Sequence, residues 1–188
     1  MTNDRSDILT PSFMNRRQMI LGAAITIGGM AVSPLEALAS AEDEITHSSA
    51  AIHQRRVFKA SPNRVYAALT DETQFQKVMM LSDAMRGGMP PGAAPTKIST
   101  DAGGSFTLFG GVITGRHIEL VPDTRLVQAW RESDWKPGVF SLVKFELAAE
   151  RAGTALTFAH TGFPDANAAH LSAGWDANYW EPLAKYLA

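Results

Sequence analysis

Hydrophobic and polar positions change their spacing several times along this chain, and each change marks a different element. From Met19 to Val32 there is no charged residue, directly behind the pair Arg16-Arg17. From Ala51 to Lys59 apolar and polar residues alternate, which predicts a strand with Ile52, Val57 and Phe58 as its apolar members. Ser61-Pro62 then predicts a helix start, because a serine hydroxyl accepts from free N–H groups and the missing proline N–H costs nothing in the first turn. That short helix runs through Val65, Ala68 and Leu69. Asp71, with Gln74 three residues on as a capping-box partner, opens a second one through Phe75 and Val78.

Met79 to Pro95 holds four methionines (Met79, Met80, Met85, Met89) among Gly87, Gly88, Pro90, Pro91, Gly92 and Pro95, which predicts a loop. Methionine adapts to varied shapes, so this loop is either a lid over an apolar site or a surface loop with its methionines tucked onto the core. Beyond Lys97 the period becomes two, broken by Asp101 to Gly104, Gly110-Gly111, Pro122-Asp123, Lys136 to Gly138 and Arg151 to Gly153. Between the breaks lie strands near Phe106–Phe109, Val112–Leu120, Arg125–Ser133, Val139–Ala149 and Thr154–Thr161. Val139, Ser141, Val143, Phe145 and Leu147 share one face against Lys144 and Glu146 on the other, so one side of the sheet is buried.

After Gly162-Phe163-Pro164 the spacing turns helical, with Leu171, Trp175, Tyr179 and Leu183 in one stripe. Pro182 lies inside it and predicts a kink or break near Asn178, whose carbonyl the ring crowds. Strand, two short helices, an antiparallel meander and a final amphipathic helix make an α+β fold with one sheet and one principal helix. The space between them is the natural place for a pocket.

Composition narrows the chemistry. The chain has 188 residues, 45% apolar and 19% charged, with 17 Lys+Arg against 19 Asp+Glu. No basic excess or patch is present to displace counterions from nucleic acid, so no nucleic-acid partner is expected. With no cysteine there is no disulfide, thiolate nucleophile or cysteine metal site. There is no P-loop, dinucleotide fingerprint or G-x-S-x-G, and no cofactor is expected.

The N-terminal block reads as an address. The fourteen uncharged residues from Met19 are too few to span a bilayer, and Pro34 and the small residues Ala37-Leu38-Ala39 follow, with a second register at Ala39-Ser40-Ala41. Arg16-Arg17 ahead of this mild apolar stretch resembles the twin-arginine export signal. The expected organisation is a signal over 1–39, a flexible leader over 40–50 and a folded domain over 51–188. A buried N-terminal helix and a retained anchor are the alternatives. The resemblance implies a bacterial protein exported already folded to the periplasm or beyond, touching the membrane only through the uncleaved signal.

Several segments of the folded part resemble the activator of heat-shock-protein ATPase homologue family, within the START-like or SRPBCC superfamily. They are Arg56–Asp71, Gly104-Ser105-Phe106, Gly115 to Arg131 with Pro122, Leu126 and Trp130, and His160 to Pro164. His170-Leu171-Ser172-Ala173-Gly174-Trp175 at the head of the last helix is the most specific. The resemblance covers about residues 52–188 and implies a helix-grip fold, a curved antiparallel sheet wrapped around a long C-terminal helix. Two departures stand out: Lys77-Val78-Met79-Met80 replaces an aromatic-rich segment, reshaping the pocket mouth, and Pro182 replaces a helix former.

The candidate ligand-binding residues are Phe106, Trp130, Phe145, Phe158, His160, Trp175 and Tyr179. His160 alternates with Leu156 and Phe158 toward the inner face, where it either hydrogen-bonds a ligand, acts as an acid/base, or is satisfied by a neighbour as core histidines commonly are. His170 suits helix packing or capping, and Gly174 a close helix-to-sheet approach. Arg116 and Arg131 could meet an anion or stay solvated. His160, His170 and Asp176 lack metal-ligand spacing, so no metal site is assigned.

The expected function is non-catalytic binding of a small hydrophobic or amphipathic molecule between sheet and helix. The alternatives are an enzyme of the cyclase or aromatase type using His160 on a ring substrate, and a co-chaperone-like ATPase activator. Oligomeric state is not legible.

Overall fold

The computed structural model describes residues 50–188 apart from 87, 89 and 90. The segments read as signal and leader, up to residue 49, lie outside the described residues, as do Met89 and Pro90 of the methionine-rich loop.

Seven strands form one antiparallel sheet: β1 (Ala51–Phe58), β2 (Lys97–Ile98), β3 (Ser105–Leu108), β4 (Ile113–Val121), β5 (Arg125–Glu132), β6 (Ser141–Glu150) and β7 (Gly153–Thr161). Their order is β1-β7-β6-β5-β4-β3-β2, so the first strand closes one edge beside the last. Alternation decides which side is covered. Ser141, Val143, Phe145 and Leu147 of β6 are buried, and the last three stand opposite the equally buried His160, Phe158 and Leu156 of β7.

Close packing on this face requires a missing side chain at Gly115 of β4. A Cβ there would lie 2.1 Å from the Ala129 carbonyl oxygen and 2.3 Å from Cζ of Phe106, whose ring lies across the glycine. The bulge between His117 and Glu119 then shifts the register of β4 against β5.

Two short helices follow β1. In α1 (Pro62–Thr70) the Ser61 hydroxyl accepts from the Arg64 N–H with Pro62 in the first turn. In α2 (Glu72–Met79) Asp71 accepts from the Gln74 N–H at 2.8 Å. The reciprocal half of the expected capping box is absent. The Asp71 N–H already donates to the Ala67 carbonyl, and the Gln74 side chain instead accepts from the Tyr186 hydroxyl.

The C-terminal helical segment comprises α3 (Ala168–Trp175), a π turn (Asp176–Trp180) and α4 (Glu181–Leu187). The break expected from Pro182 is this π turn. Its wider spacing makes room where a regular helix would set the proline ring against the Asn178 carbonyl, and the Glu181 N–H reaches back to Asp176. The extra residue turns Tyr179 and Trp180 both inward, so Leu171, Trp175, Tyr179, Trp180, Leu183 and Leu187 are all buried against the sheet. Regular four-residue spacing did not include Trp180. Trp180 also ties the helix to the edge strand, its indole N–H donating to Gln54, while Arg56 pairs with Asp176.

Candidate functional site: a pocket at one end of the helix

A cavity of about 310 Å³ opens where the inner ends of β4 and β5 meet α3 and the π turn. Its sheet side is Ile113, Trp130 and Glu132, with Phe109 and Val112 from the turn before β4. Its helix side is His170, Leu171, Gly174, Trp175, Asn178 and Tyr179. Across it lies a strap, the short 3-10 turn Asp83–Met85, contributing Ala84 and Met85. One hydrogen bond fastens the strap, from the Ala84 N–H to Asn178 Oδ1 at 2.9 Å.

Gly174 is part of this opening. A Cβ at that position would meet nothing within 4 Å, so the glycine leaves space in the pocket wall. The expectation that it permits close approach of helix to sheet is thereby corrected.

Of the seven residues expected to bind ligand, Trp130, Trp175 and Tyr179 line the cavity. Phe106, Phe145, Phe158 and His160 do not. They are packed deeper in the core, where Phe158 lies 4.4 Å from the Trp175 ring and Phe145 5.3 Å from Phe158, centre to centre. Inward alternation identified them as core, but alternation carries no information about which part of an inner face is left uncovered.

His160 is locked into a chain of hydrogen bonds. The Trp175 indole N–H donates to its Nδ1 at 3.0 Å, which leaves the proton on Nε2. That N–H meets Ser141 Oγ at 2.7 Å, and the serine hydroxyl donates on to the Trp130 carbonyl at 2.9 Å. Burial holds the imidazole neutral, with its pKa pushed down to about 3. Both nitrogens are occupied and the side chain is fully buried, so nothing is left to exchange a proton with a molecule in the cavity.

The polar equipment of the pocket lies elsewhere. Glu132 continues the inward parity of Leu126, Gln128 and Trp130, and its side chain is only 13% exposed. Period two along β5 already places Glu132 inward, although it is not among the expected binding residues. Its partner is His170 Nε2 at 3.4 Å; the His170 side chain is 72% exposed, so His170 neither packs nor caps α3. The Tyr179 hydroxyl and the Trp130 indole N–H are buried without a completed hydrogen bond. Burial raises the Tyr179 pKa well above its ordinary value, the nearby Trp130 N–H tempers the rise, and the Glu132 charge adds to it.

The other candidates are dispersed. Asp176 pairs with Arg56, His170 with Glu132, and His160 sits in the core, and no group of three metal-ligating side chains occurs among the described residues. Arg131 donates to the Trp135 carbonyl at 2.6 Å and lies over the Phe140 ring, and Arg116 donates to the Gly103 carbonyl. Both hold turns. Of the methionines, Met85 lines the pocket. Met79 ends α2 buried, its sulfur accepting from the Phe109 N–H, which ties α2 to the turn before β4.

Residues 59–188 match the family model described as activator of Hsp90 ATPase homolog 1-like protein. The chain belongs to that family. Curated relatives include the activator of 90 kDa heat shock protein ATPase homolog 1 of Homo sapiens, 24% identical over 69% of this chain and 34% of the relative. A Dictyostelium discoideum homolog is 33% identical over 42% of this chain and 21% of its own length. The chain thus spans about a third or less of these relatives. Among solved structures, an Hsp90 activator from Plasmodium falciparum superposes with a TM-score of 0.61 at 21% identity, covering 73% of this chain and 95% of that one. A protein from Chromobacterium violaceum gives 0.57 at 25% identity over 73% and 96%. The helix-grip architecture of the activator-like family is therefore that of this chain.

Proposed function

We propose that the chain is a non-catalytic binding domain for a small hydrophobic or amphipathic molecule, held in the cavity between sheet and C-terminal helix. The observation that carries this is the cavity itself: about 310 Å³, walled by Trp130, Trp175, Tyr179 and Phe109, with Gly174 leaving room in its helix wall. Ligand pockets range over about 300–1,000 Å³, so this one suits a compact molecule. The locked state of His160 weighs against the cyclase-type alternative, which needs that imidazole as acid/base. Native mass spectrometry of the full chain as purified, followed by titration with fluorescent lipid and aromatic probes, tests the reading. A protein that is empty and binds none of the probes removes it.

The sequence before the fold supports work outside the cytoplasm, after twin-arginine export of the folded domain. Replacing Arg16 and Arg17 together by Lys tests this. The expected outcome is retention in the cytoplasm, and unchanged export overturns the route.

Family membership supports a second reading, contact with an ATP-driven 90 kDa chaperone. Stimulation of that chaperone's ATPase by the purified chain would favour it over ligand binding. Export as proposed would keep the two proteins apart in steady operation.

A further inference from the structure

Resting on the reading of the cavity as a binding site, we infer that its occupant is a compact cyclic cation, a one- or two-ring compound bearing a protonated amine. Three observations converge on it. Glu132 is the carboxylate in the wall, largely withdrawn from water, and it has one partner, His170, at 3.4 Å. Neither lysine nor arginine lines the cavity among the described residues. Arg131, next in the chain, is committed to the Trp135 carbonyl and the Phe140 ring, away from the cavity.

The remaining wall is rich in aromatic surface. Trp130 and Trp175 lie 5.7 Å apart between ring centres, Trp175 and Tyr179 4.2 Å, and Tyr179 and Phe109 5.5 Å. Faces of this kind attract organic cations through the ring quadrupole, and the attraction grows where water is excluded. A half-buried carboxylate at one end of an aromatic wall supplies a charge partner for an ammonium group, while the rings take the hydrocarbon. An anionic ligand of the same shape would bring a like charge beside Glu132 in a partly dry site, which is costly. The small volume favours two rings over a long acyl chain.

Three ring-matched probes separate this from simple hydrophobic binding: 2-naphthylmethylamine, 2-naphthalenemethanol and 2-naphthoate, titrated calorimetrically into the full chain at neutral pH. The expected order is amine first, about tenfold tighter than the alcohol, with naphthoate weakest. Glu132→Gln is expected to bring the amine down to the level of the alcohol and to strengthen naphthoate. The unsubstituted protein gives the ranking even where the variant fails to fold. Equal binding of all three, or naphthoate first, overturns the cation assignment and leaves the binding reading standing. Binding of none overturns both.

Discussion

The indole N–H of Trp175 reaches from the C-terminal helix to Nδ1 of His160 on the sheet, 3.0 Å away. It fixes the tautomer that lets His160 donate to Ser141. Trp175→Phe keeps an aromatic ring but removes the donor and the pyrrole part of the indole, leaving a buried acceptor without a partner beside a small void. The expected cost is about 1–3 kcal/mol in urea unfolding. An unchanged midpoint would mean that the chain of hydrogen bonds carries no net stability.

Acid should unfold this protein partly through the same imidazole. The unfolded chain binds a proton near 6.5, whereas burial holds the folded imidazole neutral down to about 3. Its contribution is present above about pH 6.5 and is lost progressively as pH falls toward 3, on the order of 4–5 kcal/mol over the whole window. His117, buried and also shifted down, acts in the same direction. Melting temperature against pH should therefore slope downward below about 6.5. His160→Gln should flatten that slope while lowering stability at neutral pH, and a parallel profile for the variant would exclude His160 as the source.

Gly174 separates stability from binding. Its helical position gains about 0.5–1 kcal/mol when a side chain replaces the hydrogen. The space beyond it is open, so Gly174→Leu should raise the melting temperature and abolish binding of aromatic probes. A variant that is more stable and still binds would place the ligand elsewhere.

Gly115 behaves in the opposite way. Gly115→Ala drives a methyl against the Ala129 carbonyl oxygen and the Phe106 ring, both within 2.3 Å, and backbone on one side cannot yield. A loss of about 1–3 kcal/mol is expected, seen as a lower denaturant midpoint with the slope unchanged.

Most of the fold was legible because a sheet covered on one face writes itself as alternation. Val143, Phe145, Leu156 and Phe158 are buried where period two puts them. The pocket was legible only in part, since a cavity is made by what is missing and by where elements end. Trp130, Trp175 and Tyr179 lie at the uncovered end of the inner face, whereas Phe145 and Phe158 have the same parity and are sealed beneath Trp175 and Trp180. Glu132 had the parity of a core residue and the charge of a surface one. Its true position, half-withdrawn at a mouth, reconciles the two.

Pro182 does not line the pocket, yet it sets the phase of the helix that does. Because the chain inserts an extra residue at Asp176–Trp180 to accommodate the ring, Asn178 meets the strap and Tyr179 meets the cavity while Trp180 still faces the sheet. A regular helix would advance by about 100° per residue and could not turn the two aromatic neighbours to such duties together. Position 182 is thus a remote tuning point. Restoring a residue with an N–H there would let the helix rewind, redraw the outline of the binding chamber, and slacken its strap without altering a single residue that a ligand could touch.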